Sequence, residues 1–537
     1  MRVVSADDVA KLVRTGDTIV IGGSGAGHAV PDNLIAAVGR RFLAEGQPRD
    51  LTSLHPVGLG DRAGRGIGHI AHDGLLKRVV CGTLVDSPEV AQMAAGDRVE
   101  AYTLPQGALS QLMREMASGR PGLITHVGLQ TMVDPRHGGG RQSPSAREDL
   151  VELITVAGRE WLFYKPFHVD VAFLRGTTAD EDGNVTMEQE AVFGEMLSMA
   201  QATRRCGGIV VVQVKRLATR GTLPGKQVKI PGMLVDLVVV APEQTQTYFT
   251  EYSPAYAGEL RIPLSDIATL PFDPRKVIAR RAAMELVAGA ICNLGSGVST
   301  GIASIAAEEN ILDDVVLTNE QGLIGGAPAT GNEPGASRNF HAMIDQPYQF
   351  DFYDGGGIDL AFLSFAEVDR VGNVNVSRFG DRIIGIGGFV NISQNAKKVI
   401  FSGTFTAGGL RISWPDGITR IEREGQGQKF VESVEQISYS AAYAATQRQQ
   451  VLYITERAVF RPAEGGLELI EIAPGIDLER DVLSLMAFRP KIGDRLVLMD
   501  ARLFAPAPIG LDRILAERPP QARSARLADL PQGGGVG

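Results

Sequence analysis

Two short strings recur in this 537-residue chain at one common offset. Asp170-Val-Ala-Phe-Leu174 returns as Asp359-Leu-Ala-Phe-Leu363, and Gly183-Asn-Val185 returns as Gly372-Asn-Val374, each 189 residues later. A shared offset makes chance a poor explanation and predicts a duplicated unit. Earlier landmarks agree: GDTIVIGGSG (16–25) with LIAA (34–37) returns as AGAICNLGSG (288–297) with SIAA (304–307), offset by 270 at the helical pieces. The first copy therefore carries 81 extra residues between these landmarks. A unit this long can bury its own core, so the repeat is a domain duplication and not a solenoid.

Each copy runs helix (DDVAKLVR; PRKVIARRAAMELV), strand, glycine-rich loop, helix, strand. Later apolar runs such as Ile209–Val212, Leu237–Val240 and Val399–Phe401 suit strands covered on both faces of a parallel sheet. The expected fold class is α/β, with two tandem, related open-sheet domains. We place them at residues 1–265, with an insertion, and 266–516, joined through the proline-bearing stretch around 259–275; residues 517–537, rich in Pro, Gly and Arg, read as a mobile tail. The seam between the copies is the natural place for a cleft.

The stretch LTNEQGLIGGAPATG (317–331) sets one carboxylate, Glu320, at the end of a strand and before a glycine-rich turn. Open α/β sheets bind ligands at that edge, and glycine would let backbone come close to one. A solvated turn carboxylate is the alternative this stretch leaves open. Three other glycine-rich loops, Gly22–Gly27, Gly295–Gly301 and Gly385–Gly388, stand where a strand gives way. None has the G-x-G-x-x-G spacing or a Walker lysine, so what remains is backbone N–H groups suited to phosphate or an oxyanion, or simply tight packing.

Other chemistries find little support. The eight histidines make no HExxH or other ligand spacing, so no metal is expected, and GSGVSTG is not a nucleophile elbow. A net charge of −9 without a basic run argues against nucleic acid. No apolar stretch is long enough to cross a bilayer, and no signal-like segment opens the chain. Cys81, Cys206 and Cys292 are unpaired in pattern, which points to a reducing, cytoplasmic compartment.

TNEQGLIGGAPATG, QPYQFDFYDGGGIDLAFL (346–363), NISQNAKKVIFSGTFTAGGL (391–410) and PQGALSQLMREMASGRPG (105–122) together resemble the family I CoA-transferases, most of all the single-chain acetate or propionate type with fused α-like and β-like halves. The resemblance covers nearly the whole chain apart from the tail. It implies transfer of CoA between an acyl-CoA and a free acid, acetate or propionate or a 3-oxo acid, in two half-reactions through a glutamyl-CoA thioester. Coenzyme A would be a substrate, with no permanently bound cofactor. Glu320 is then the nucleophile. Gly295, Ser296, Gly297, Val298 and Ser299, with Gly385 and Gly388, would line the CoA site, and Gln106 would contact the acyl oxygen. Gly387 and Gly388 are the candidate backbone oxyanion donors. A homodimer or homotetramer is the family habit. Two further readings stay open: an acyl-CoA hydrolase using the same intermediate, and a binding protein that senses a metabolite without turnover.

Overall fold

The computed structural model describes residues 1–329 and 331–521. Among them, one sheet of eight strands belongs to the first copy. Its order is Arg2–Val3, Leu237–Val240, Ile209–Val214, Val171–Arg175, Thr18–Ile21, Leu51–His55, Leu76–Cys81, Glu100–Thr103, and every neighbouring pair is parallel. The second copy builds a ten-stranded sheet. Its parallel centre runs Val316–Asn319, Ile291–Leu294, Leu360–Ser364, Lys398–Ser402, Gln450–Ile454. Five strands correspond in the same spatial order, so the α/β open-sheet duplication is present in the fold as well as in the sequence.

The recurring strings mark the same local devices. Asp170 accepts a hydrogen bond from the Thr18 N–H (2.8 Å), and Asp359 does the same for Ile291 (2.9 Å), each tying the foot of one central strand to its neighbour. Further on, Asp180 accepts from the N–H groups of Asp182 and Asn184, and Asp369 from those of Val371 and Asn373. Such aspartate turns need a left-handed residue to close, supplied by Gly183 (φ +88°) and Gly372 (φ +94°). Helix Pro274–Ala283 starts where Asp273 caps the N–H groups of Arg275 and Lys276.

The copies differ where the first is longer. It adds the two parallel strands Leu76–Cys81 and Glu100–Thr103, and a small antiparallel sheet of Leu123–Thr125, Val151–Val156 and Arg159–Tyr164. At that edge the second copy has only the short antiparallel strands Leu323–Ile324 and Ala342–Met343. On its other side it adds Ala458–Ala463, Gly466–Ile472 and Lys491–Leu498.

The expected boundary after residue 265 falls on the short turn Leu264–Asp266, in a largely exposed connection. The expected tail begins differently. Arg518 donates to the Met284 and Leu286 carbonyls and Gln521 N–H to that of Ala288, so residues 517–521 are packed on the second copy, because they satisfy the open end of a helix there. The rest of the expected tail, 522–537, lies outside the described residues.

Of the contacts that join the copies, three frame the cleft edge of the sheets. Helices Gln106–Ala117 and Gln346–Asp354 face each other, with Arg114 forked onto Asp351 (2.7 and 2.5 Å) and Gln111 donating to Asp351 and Asp354. Loop 384–387 zips onto loop 82–84: the Ile386 and Gly387 N–H groups donate to the Gly82 carbonyl, and Leu84 N–H donates to that of Ile384. Glu333 accepts from Thr247, Thr250 and Tyr256 of the first copy.

Candidate active site

Glu320 follows strand Val316–Asn319 directly, at the carboxyl edge of the second sheet. Burial pushes its carboxyl above the usual glutamate range, opposed by hydrogen bonds from its own N–H and from the Gln321 and Asn293 side chains. The Gln321 amide lies 3.3 Å from Glu320 Oε1. No cation pairs with Glu320 among the described residues. A carboxylate kept from water with no counter-ion is a better base and nucleophile than a solvated one.

A chain of hydrogen bonds holds the floor beneath it. Asn293 donates to Tyr353 Oη (3.2 Å), Tyr353 to Thr318 Oγ1 (2.7 Å), and Thr318 to the Cys292 carbonyl (2.9 Å). Asn293 Oδ1 and Gln321 Oε1 are buried with no partner among the described residues. Buried polar atoms are ordinarily paired, so these two acceptors suit a ligand that brings donors.

The glycines after Glu320 serve a different purpose from the one expected. A Cβ on Gly322 (φ +99°) would lie 2.0 Å from the Ile344 carbonyl oxygen, and one on Gly326 (φ +70°) 2.1 Å from that of Arg338. They let the turn press against residues 338–344 of its own copy.

Gly388 comes closest to the expected role. An added Cβ there would sit 3.4 Å from Glu320 Cγ, and its N–H has no partner among the described residues. Gly387 does not match the expectation of a donor: its N–H already donates to the Gly82 carbonyl (2.8 Å). Gly385 is likewise part of the seam. Its N–H donates to the Ser377 carbonyl, and a Cβ would lie 2.8 Å from Gly82 O and Thr83 Cα, which is why glycine stands there.

Gln106, the first residue of its helix, is buried 2.9 Å from the Gly387 carbonyl through its N–H. Its side-chain amide donates to Gln346 Oε1 (3.2 Å), and Gln346 donates to Glu195 Oε2 (2.8 Å), which also accepts from Ser110 (3.0 Å). This relay turns the Gln106 carbonyl oxygen, an acceptor, toward Gly387, the reverse of the donor expected there. Burial pushes the Glu195 carboxyl up to about 8.

Loop 295–299 lies one strand over from Glu320. Gly295 N–H donates to the Phe362 carbonyl and Ser364 Oγ to that of Ser296, fixing both sides of the loop. Ser296 and Gly297 (φ +94°) are exposed with N–H groups unpaired among the described residues, Val298 is half-buried, and Ser299 is buried within 3.5 Å of Ser364 Oγ. Sequence reasoning missed Asn293, Gln321, Gln346 and Glu195. Only Asn293 carried a local signal, as a polar residue inside the apolar strand Ile291–Leu294.

Known proteins resemble this chain over nearly its whole length. Residues 3–241 match the model of the family described as Coenzyme A transferase. The chain is 45% identical over 523 residues to the caffeate CoA-transferase of Acetobacterium woodii, covering 96% of this chain and 99% of that one. It is 43% identical to the acetate CoA-transferase YdiF of Escherichia coli K12, over 95% and 96% of the two chains. The crystal structure of the acyl-CoA transferase YdiF from E. coli O157:H7, a thioester complex with CoA, superposes with a TM-score of 0.90 at 42% identity, covering 95% of this chain and 97% of that one. With likeness of this extent along both copies, the chain belongs to the coenzyme A transferase family.

Proposed function

We propose that this enzyme moves CoA between an acyl-CoA and a free short-chain carboxylic acid, with Glu320 as the covalent carrier. The Glu320 carboxylate attacks the thioester carbonyl, forming a mixed anhydride and releasing the CoA thiolate. The thiolate then attacks the glutamyl carbonyl, the first acid departs, and a glutamyl-CoA thioester remains. A second acid reverses these steps and leaves as the new acyl-CoA. No metal or nucleotide hydrolysis is needed, because one thioester replaces another of similar energy.

The observation that carries the reading is a buried carboxylate without a counter-ion among the described residues, beside Gly388, where an added Cβ would stand 3.4 Å from Glu320 Cγ, at the carboxyl edge of the sheet. In this reading the Gly388 N–H steadies the tetrahedral oxyanion, and Asn293 and Gln321 accept from donors on the substrate. Loop 295–299 receives the CoA arm. The relatives support the class of reaction and differ in the acid each is named for, caffeate in one and acetate in the other. Soluble cytoplasmic residence and a homo-oligomer complete the proposal; no helix among the described residues is long and apolar enough to cross a membrane.

Incubation with acyl-CoA alone, digestion and mass measurement test it: the peptide bearing Glu320 gains the mass of CoA less one water. Acid exchange at normal rate with that peptide unchanged would refute the carrier role. CoA release that needs no acceptor acid would favour a hydrolase, and ligand binding without either product would favour a sensor.

A further inference from the structure

Lys429 is a buried cation with no hydrogen-bond or ion-pair partner for its Nζ among the described residues. It is 7% exposed, and its Nζ lies 4.1 Å from the centre of the Phe365 ring. The carboxylate whose field reaches it, Glu456, is already engaged: one oxygen accepts from Phe405 N–H (2.9 Å) and the other from Arg457 Nε (2.7 Å). Burying an ammonium this way is costly, and burial pulls it down to about 8. Room for it is made by Gly403, where an added Cβ would stand 2.6 Å from Nζ. Glycine lets the ammonium itself fill that space, and its unpaired charge, at the carboxyl edge, is what an anion would complete.

Its place on the sheet says which anion. Phe365 follows strand Leu360–Ser364 and Gly403 follows Lys398–Ser402, so Lys429 stands at the same carboxyl edge as Glu320. Along that edge come Glu320, then loop 295–299, then Ser364, which is hydrogen-bonded to that loop, then Gly403. Three strand spacings separate the first from the last, roughly 14 Å. The pantetheine arm of CoA, about four residue-lengths of extended chain, has a reach of roughly 14 Å. We infer that Lys429 receives the diphosphate of CoA while the sulfur lies at Glu320. The inference rests on the proposed CoA-transfer reading of the same cleft. Lysine binds phosphate as a compact point charge, and the ring of Phe365 holds the ammonium in place before the ligand arrives.

The test compares two thioester donors, acyl-CoA and the same acyl group on pantetheine, which lacks every phosphate. For Lys429→Met, kcat/KM with acyl-CoA should fall about 10- to 100-fold, the loss of one charged hydrogen bond, carried by KM, with the pantetheine donor little affected. Lys429→Arg should recover part of the loss, and dephospho-CoA, which keeps the diphosphate, should lose as much as CoA. Equal losses on the CoA and pantetheine donors, or none on either, would overturn the assignment, as would a dephospho-CoA donor indifferent to the substitution. A measurement on the unaltered enzyme guards against a variant that does not fold: CoA should protect Lys429 from amine acylation and pantetheine should not. Protection by both alike also overturns it. Protection by CoA in a protein that shows no acid exchange would instead leave this site standing and remove the transfer reading.

Discussion

Alanine at each of Gly385, Gly387 and Gly388 separates the seam from the chemistry. At 385 the backbone is left-handed (φ +87°), and the new methyl carbon would meet Gly82 O and Thr83 Cα at 2.8 Å and Thr103 Cγ2 at 2.9 Å. The left-handed conformation costs about 1–2 kcal/mol and the overpacking about 1–3, so Gly385→Ala should lose about 2–5 kcal/mol. At 387 (φ +49°) the nearest atom is Gln106 Oε1 at 3.7 Å, which leaves only the conformational cost of about 1–2 kcal/mol. At 388 the backbone is ordinary helical (φ −80°) and the closest atoms, Ile392 Cδ1 and then Glu320 Cγ and Phe350 Cζ, stand at 3.3–3.4 Å. That substitution should cost stability less than ~1 kcal/mol, within the range of a tolerated small-to-large change. Its methyl, however, occupies the approach to a carboxylate that must come within bonding range of a carbonyl, and a displacement of ~1 Å there costs about 100-fold in rate. Denaturant midpoints and acid-dependent CoA exchange, measured on folded protein, should therefore rank the variants oppositely: 385 worst for stability, 388 worst for turnover. Gly388→Ala turning over at the parent rate, or Gly385→Ala as stable as the parent, would refute the reasoning.

Glu320→Gln should abolish exchange and stabilise the protein at neutral pH. The folded-state pKa is raised above 4.5, so ionising Glu320 is penalised only above that value; the advantage of Gln should vanish below about pH 4.5. For the same reason kcat/KM of the unaltered enzyme should fall on the acid side with a midpoint above 4.5; a midpoint at or below the ordinary value would contradict this. Asp354, buried among the Asn391, Gln111 and Asn395 amides, is pushed up to about 7. The stability it gains from the protonated form is full below about pH 3.8 and is lost as pH rises through about 7. Denaturation midpoints of Asp354→Asn and the parent should diverge in favour of Asn as pH rises from about 4 to 7 and run parallel above that, and parallel curves across the window would count against a perturbed Asp354.

The duplication was legible because each copy keeps the same closed turn, an aspartate accepting from the chain two and four residues on and a left-handed glycine between, and these leave fixed letters at fixed spacing. Glu320 was legible as an acid where an apolar strand ends. What the glycines of 322–326 and 385–387 face was not, since close approach to a ligand and close approach to another strand call for the same residue. The Gln106–Gln346–Glu195 relay joins residues 240 and 151 apart, and nothing local announces it. Lys429 was invisible for a similar reason: a lysine reads as solvated until the fold places Phe365 and Gly403 around it.

The contact between loops 82–84 and 384–387 has an implication for how the protein is put together. Apart from Thr83 Oγ1, which donates to the Ile384 carbonyl, both partners present main-chain groups, so the join tolerates change in most side chains as long as Gly82 and Gly385 stay glycine. Nothing in the connecting stretch near residue 265 takes part in it. The covalent bond between the copies then delivers one Glu320-bearing half with one Gln106-bearing half each time a chain is made.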